Sequence, residues 1–320
     1  MNLYVIRQLT KRYEPRGVLA NDSISLDIRQ GEILGIFGPN GAGKTTFVRQ
    51  ITALLRPTSG SIELLGQDIV RHPEVVPRHV SFFGQHTPIL RNYKVAEVLI
   101  YSGVLRGLPA ARAKRQANAL IERFDLGPIA NQRLARLSGG QVRLSILLAA
   151  FMGNPKGVVL DEPTNDLDPT NRHKLWQFLE ELRAKYGVTV VLTSHNLSEA
   201  ERCIDRAAFI HCGRLVALGT PGELKRAVAN LVRLEIRIKE AHISATELLL
   251  NLVPNSRNRK PGFWEITATP EEAERLLGQV ISLVGLEAID DFRLVTPTMD
   301  DVYILLTSRQ VKPTGVLHAH

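Results

Sequence analysis

Gly38-Pro39-Asn40-Gly41-Ala42-Gly43-Lys44-Thr45-Thr46 places four residues between its outer glycines and follows them with Lys-Thr, the spacing of a phosphate-binding loop. The flanks suit that reading. Glu32-Ile33-Leu34-Gly35-Ile36-Phe37 reads as a buried parallel strand, and Thr46-Phe47-Val48-Arg49-Gln50-Ile51 opens an apolar-periodic helix. Glycines at 38, 41 and 43 allow positive φ, so the backbone N–H groups of Gly38, Pro39-flanked Asn40, Gly41, Ala42 and Gly43 can turn inward around polyphosphate oxygens. The helix start adds partial positive charge. Lys44 is expected to reach the β and γ phosphates, Thr45 to place its hydroxyl on Mg²⁺, and Thr46 to add a phosphate contact. The plain alternative is a glycine-rich turn between strand and helix, which the agreement of the full pattern with its flanks disfavours.

At 320 residues the chain has room for two domains, each with its own core. No apolar run approaches the length of a membrane span, and Met1-Asn2-Leu3-Tyr4-Val5 does not start a secretion signal, so a cytoplasmic location is expected. Two cysteines, Cys203 and Cys212, are too few for a disulfide framework and are expected to be reduced thiols. The net charge of +8 is uneven: residues 1–220 hold 28 Lys and Arg against 19 Asp and Glu, while residues 221–320 hold 12 against 13. A basic surface suits nucleic acid, an anionic leaflet or simple solubility, so charge alone selects no partner.

Around the loop, residues 3–9 and 22–28 read as short antiparallel strands, with Tyr13 between them placed either to stack on a base or to pack on its own sheet. Val80–Phe83 is a strand running into Gln85, whose amide oxygen could ligate Mg²⁺ or simply be solvated; the pattern is then helical through about Asp125. Leu137-Ser138-Gly139-Gly140-Gln141 opens a helix whose Leu144, Leu147, Leu148 and Phe151 recur at core spacing. Ser138 caps it, and the paired glycines leave free N–H groups, making a second anion-binding terminus that lacks a lysine. Gly157-Val158-Val159-Leu160-Asp161-Glu162 is an apolar strand ending in two carboxylates. A buried parallel strand delivers such residues to the ligand edge of its sheet, Asp161 toward Mg²⁺ and Glu162 toward an attacking water. Asn165-Asp166-Leu167-Asp168-Pro169 turns into another helix, and Val188–Ser194 empties into His195 in the same way. Beyond about residue 225 the texture becomes that of a small α+β domain, with strands at Leu231–Lys239, Gly262–Ala268 and Ile289–Leu294 and helices at Ser244–Leu252, Pro270–Val284 and Met299–Thr307; residues 311–320 read as a frayed tail.

Taken in this order, the motifs resemble those of the ATP-binding subunit of an ABC transporter. Gly38–Thr46 matches Walker A, Leu137–Gln141 the ABC signature, Val158–Glu162 Walker B with its catalytic Glu, Asn165–Asp168 the D-loop, Gln85 the Q-loop and His195 the switch histidine. Tyr13 occupies the place of the adenine-stacking aromatic. Gly219-Thr220-Pro221-Gly222-Glu223-Leu224 and Pro297-Thr298-Met299-Asp300-Asp301-Val302-Tyr303 are similar to drug-exporter ATPases of the daunorubicin-resistance (ABC-2) type, with Met299 and Tyr303 where Leu and Phe are usual.

The resemblance implies an α/β fold: a P-loop NTPase core with an antiparallel β layer over residues 1–225, a helical insert and its lead over about 86–136, an accessory α+β domain over 226–310 and a tail over 311–320. It further implies ATP and Mg²⁺ as ligands, with Thr45, Gln85 and Asp161 at the metal. Catalysis would involve Glu162, His195 and Gln85. Ser138, Gly139, Gly140, Gln141 and Asp168 would contact nucleotide across a head-to-tail homodimer. An integral membrane permease would be the other partner, at the cytoplasmic face of the membrane, and no nucleic acid is expected. Three other readings remain at this point: a soluble ABC-type ATPase acting on ribosomes or DNA, an importer ATPase with a regulatory C-terminal domain, and a non-enzymatic nucleotide sensor, which ATP turnover would exclude. A single cassette without a long coiled-coil insertion disfavours the first.

Overall fold

The computed structural model describes residues 1–15, 17–84, 90–226, 231–251, 253, 256–295, 298–308 and 317–318. They form two compact units, Met1–Leu215 and Val216–His320. In the first unit, β1 (Asn2–Tyr13) and β2 (Val18–Arg29) precede β3 (Ile33–Phe37), α1 (Lys44–Ile51), β4 (Ser59–Leu64) and β5 (Gln67–Asp68). Next come α2 (Val75–His79), β6 (Val80–Phe83), α3 (Val95–Leu105), α4 (Ala110–Arg123) and α5 (Gly139–Ala149). The unit continues through β7 (Gly157–Asp161), α6 (Pro169–Tyr186), β8 (Thr189–Ser194), α7 (Leu197–Ala200) and β9 (Arg206–His211), and β10 (Arg214–Gly219) runs across the boundary.

Strands β9-β3-β8-β7-β6 lie side by side, all parallel. Every residue of β3, β7 and β8 is buried, as expected of parallel strands covered on both faces, and their apolar residues come in consecutive runs, Ile33–Phe37, Val158–Leu160 and Val190–Leu192, rather than alternating. Parallel pairing in register, with Phe37 opposite Ser194 and Asp161 opposite Thr193, brings the C-terminal ends of β3, β7 and β8 to one edge. The loops leaving that edge carry the candidate site. A separate antiparallel sheet, β2-β1-β4-β5, supplies the second layer. Its strands are longer than the sequence pattern suggests, because Lys11, Arg12 and Tyr13 continue to pair with Asn21, Leu19 and Val18 through ladder irregularities that interrupt the apolar alternation.

The signature helix α5 buries Leu144, Leu147 and Leu148, and Phe151 just beyond it, on the face its periodicity predicts. Phe151 meets Phe178 of α6 edge-on, with ring centroids 5.0 Å apart. Helix α6 begins at Asp168, whose Oδ1 accepts the Asn171 N–H at 2.9 Å, and ends at Gly187 in the left-handed conformation. These donations from Asn171, backbone first and then side chain, hold the Asp168 carboxyl below the usual carboxylate range. A carboxylate with a depressed folded pKa stabilises above its unfolded value and loses that contribution as acid protonates it. Asp168→Ala should therefore cost about 1 kcal/mol near neutral pH. In thermal denaturation, the gap between variant and parent should close once the pH falls well below about 4.

The second unit adds α8 (Pro221–Arg226), β11 (Val232–Ile238), α9 (Ile243–Asn251), β12 (Ser256–Lys260), β13 (Phe263–Ala268), α10 (Pro270–Val284), β14 (Ile289–Val295), α11 (Met299–Ser308) and β15 (Leu317–His318). Its antiparallel sheet runs β12-β13-β11-β14. Leu234, Ile236, Trp264 and Ile266 form its core with Ala273 and Val280 of α10. Strand β12 is invisible to sequence patterning because Ser256-Arg257-Asn258-Arg259-Lys260 contains no apolar residue; it forms only by pairing with β13 at the sheet edge. Leu317 and His318, expected to be frayed, instead pair in parallel with Ala217 and Leu218.

Candidate functional site

Helix α1 starts directly from the glycine loop, with Gly43 at φ +105° as its N-cap. A Cβ at Gly43 would overlap the Ala20 carbonyl oxygen and lie 2.7 Å from Asn21 Nδ2, while Asn21 Nδ2 donates to the Gly43 carbonyl at 3.1 Å. The antiparallel layer therefore presses the loop into shape from outside. Lys44 is buried to 7% exposure and curls back, its Nζ donating to the carbonyls of Gly38 at 2.7 Å and Pro39 at 3.1 Å. Burial pulls its pKa below the ordinary lysine value, opposed by the charges of Glu162 and then Asp161.

The two carboxylates diverge. Asp161 Oδ1 accepts from Thr45 Oγ1 at 3.4 Å and from Thr193 Oγ1 at 2.6 Å, so it faces the loop hydroxyl. Glu162 turns the other way, with Oε1 3.9 Å from Lys44 Nζ and Oε2 2.9 Å from His195 Nδ1. Strand alternation is not the cause, since β7 ends at Asp161 and Glu162 takes φ +53°, a left-handed conformation that costs a non-glycine residue free energy. That conformation is fixed at both peptide groups: Glu162 N–H donates to Thr193 Oγ1 at 2.9 Å, and its carbonyl accepts from Arg143 Nη2 at 2.6 Å.

A cavity of about 650 Å³ opens between the loop residues Pro39–Thr46 and a wall made of Arg143, Glu162, Asn165, Asp166 and His195. It suits a polyphosphate: positive φ on the loop, a helix N-terminus, a buried lysine whose donors now rest on loop carbonyls, and a carboxylate and histidine opposite. The pairing of one carboxylate, Asp161, with one hydroxyl, Thr45, suits Mg²⁺, which keeps several waters and takes phosphate oxygens instead of filling an all-protein cage. Among the described residues no group of three or more His, Cys, Asp and Glu side chains is arranged to hold a metal by itself.

Ser138, Gly139, Gly140, Gln141 and Asp168 stand apart from this cavity. Ser138 and Gln141 form a reciprocal cap, Gln141 N–H donating to Ser138 Oγ at 3.3 Å and Ser138 N–H to Gln141 Oε1 at 3.1 Å. Ser138, Gly140 and Gln141 line a second cavity, of about 630 Å³, together with Asp166 and Asp168. Asp166 is shared by both cavities, and its carbonyl oxygen would be 2.9 Å from a Cβ placed on Gly140. Tyr13 is partly exposed, with its hydroxyl 3.4 Å from Thr46 Oγ1 and Lys11 Nζ 5.5 Å from its ring centre; its ring is outside the cavity lining. Gln85 lies outside the described residues.

Sequence reasoning missed Arg143 and Thr193. Arg143 Cζ sits 5.0 Å from the Phe83 ring centre, and burial lowers its pKa against the pull of Asp166, Asp161 and Glu162. The available signal was a single cation inside the apolar periodicity of α5. Thr193 looks like any β-branched strand residue in sequence, and only the parallel neighbour shows that its hydroxyl donates to the Asp161 carboxylate while accepting from the Glu162 backbone N–H. Arg143→Met should lower the rate of any chemistry at Glu162 by about ten- to a hundredfold, since small misplacements of a reacting group cost that much. Steady-state rates with nucleotide titration check this, nucleotide affinity staying near the parental value.

The sequence pattern of the family described as ABC transporter matches residues 21–165. Daunorubicin resistance ATP-binding protein DrrA3 of Streptomyces coeruleorubidus is 36% identical over 307 residues, covering 94% of this chain and 95% of that protein. Doxorubicin resistance ATP-binding protein DrrA of Mycobacterium tuberculosis is 30% identical over 312 residues, covering 95% and 93%. Among solved structures, one described as an ATP binding subunit of an ABC transporter superposes with a TM-score of 0.65 at 28% identity, covering 70% of this chain and 92% of that one.

Proposed function

Because this chain belongs to the ABC transporter family, as one of its ATP-binding ATPase subunits, we propose that it works as a head-to-tail homodimer powering export through a separate membrane-spanning subunit. The cargo is of the drug, lipid or polysaccharide class, and the drug class is favoured by the full-length likeness to daunorubicin- and doxorubicin-resistance proteins, which extends through the second unit. No helix of the described residues is long and apolar enough to cross a membrane, which accords with a separate spanning partner.

The observation that carries the reading is the separation of the two cavities. Lys44 and Glu162 line one, Ser138 and Gly140 the other. The lysine-free N-terminus of α5 therefore lines a cavity other than the one at the chain's own phosphate loop. It serves a nucleotide held by a second copy, so that each copy contributes part of the electrostatic stabilisation that phosphoryl transfer requires. In this arrangement Lys44 and the loop N–H groups bind the phosphates, Thr45 and Asp161 hold Mg²⁺, Glu162 accepts a proton from the attacking water, and His195 orients Glu162 beside the γ-phosphate. Mg²⁺, when bound, neutralises charge building between the β and γ phosphates. Gln85 and the helical insert report the nucleotide state to the permease at the cytoplasmic face of the membrane.

The test is Mg²⁺-dependent phosphate release by the purified chain, followed by reconstitution of the chain with its copurifying membrane protein in vesicles. ATP turnover stimulated by that membrane protein is the expected result. Binding without turnover would instead indicate a nucleotide sensor, and stimulation only by ribosomes or DNA the soluble ABC-type reading.

A further inference from the structure

Among the described residues of the second unit, the large apolar side chains left exposed are Leu283, Leu286, Phe292 and Leu294, at 55%, 60%, 45% and 53%. They fall at the end of α10, in the turn that follows, and on β14, which is the edge strand next to β11. Phe292 is paired opposite Ile236 and Leu294 opposite Leu234. Residues directly opposite in an antiparallel pair share a face, and Ile236 and Leu234 belong to the buried core under α10. The core face of the sheet thus continues past the cover of α10 and ends bare on β14. Leu283, three residues beyond buried Val280, extends the same helix flank.

Edge strands are normally blunted by charge, proline, a bulge or a covering element. Here a ladder irregularity at Asp290 limits the regular run to Asp291–Val295. The opposite face of that run carries one charge of each sign, Asp291 and Arg293, 3.2 Å apart. That pattern is self-complementary in one antiparallel register. With a two-fold axis through Phe292, Asp291 faces Arg293 of the other copy on both sides of the axis, and Phe292 faces Phe292. Moving the axis one residue sets Arg293 against Arg293 or Asp291 against Asp291. Little net repulsion opposes the approach, since residues 221–320 carry 12 basic against 13 acidic side chains.

We propose that β14 pairs with β14 of a second copy about an axis through Phe292, joining the two four-stranded sheets into one and covering Phe292, Leu294, Leu283 and Leu286. The contact is isologous, so it closes at two chains, and it needs no nucleotide, which separates it from ATP-dependent closure of the cassettes.

Sedimentation of the full chain without nucleotide should give a dimer at micromolar concentration. Asp291→Arg, which places Arg opposite Arg, should weaken that dimer at least about tenfold. Adding Arg293→Asp to the same chain should restore it. With Cys203 and Cys212 replaced by Ser, Phe292→Cys should form a disulfide-linked dimer, because the axis brings the residue against itself. Melting curves identical to the parent show that the exposed charge variants are folded. A monomer without nucleotide, a dimer indifferent to Asp291→Arg, assemblies larger than two, or crosslinking of Phe292→Cys only to a membrane protein would each overturn the proposal.

Discussion

Glu162→Gln should reduce the rate of phosphate release by about a thousandfold, the scale of a lost general base, while ATP remains bound. The substitution keeps the shape and the surrounding hydrogen bonds. The Glu162 N–H and carbonyl stay on Thr193 and Arg143, and the side-chain amide can still meet His195. What disappears is the charge that, on the proposed mechanism, takes a proton from water. The loop N–H groups are untouched, because they lie on the other wall of the cavity. Removing a negative charge 3.9 Å from Lys44 Nζ also leaves that cation freer for phosphate. Single-turnover phosphate release alongside a fluorescent-nucleotide titration separates the two effects. A variant hydrolysing at the parental rate would remove Glu162 from the chemistry.

The second large effect is expected at Gly43. An alanine there must fit a φ of +105° and a Cβ that overlaps the Ala20 carbonyl. Asn21 cannot yield cheaply, being fully buried and paired with Lys11 in the antiparallel layer, and the Ala20 carbonyl belongs to the backbone directly attached to it. The loop has to move instead, tilting the first turn of α1 and the Lys44 stem that follows it. ATP affinity should fall by about a hundredfold or more, roughly 2.8 kcal/mol. Gly41→Ala is the control. Its φ is +80°, but no atom stands within 4 Å of the added Cβ, so that change carries only the conformational strain, about 1–2 kcal/mol, much of it shared with the nucleotide-free state. Isothermal titration of ATP into both variants decides the matter: equal losses would mean that the antiparallel layer does not shape the loop.

The contrast between Gly43 and Gly41 also marks what the sequence can and cannot convey. Loop, signature and carboxylate strand are legible because their chemistry is local: consecutive backbone N–H groups, a cap and the helix it starts, a buried strand and its last residues. The α/β architecture follows from the same runs, since β3 and the middles of β7 (Val158–Leu160) and β8 (Val190–Leu192) are apolar. Contacts that cross the sheet leave no such trace. Thr193 is indistinguishable from other strand threonines until β8 is laid beside β7. The side chains of Asp161 and Glu162 diverge because Glu162 leaves the strand in a left-handed conformation, which no spacing encodes. Arg143 interrupts the apolar rhythm of α5, and only the fold shows that it grips the Glu162 carbonyl. In the second unit, β12 has no pattern of its own, and the exposure of Phe292 and Leu294 contradicts the alternation that identifies β14 as a strand.

Arg143 further ties the two half-sites together. In the proposed dimer it belongs to the helix whose N-terminus would serve the partner's nucleotide, yet it holds the carbonyl of the glutamate that would serve its own. If that dimer forms, displacement of α5 on closure would be felt at Glu162 in the same chain through Arg143, which would couple the two sites.

The central claim is that the phosphate loop of one copy and the signature of another enclose the same nucleotide. Cysteines at Asn40 and Ser138, in a chain with Cys203 and Cys212 replaced by Ser and carrying Glu162→Gln to hold ATP unhydrolysed, should crosslink between copies when ATP and Mg²⁺ are present and not without them. Absence of the Asn40-to-Ser138 crosslink with ATP bound, in a chain shown by titration to be saturated, would contradict the account.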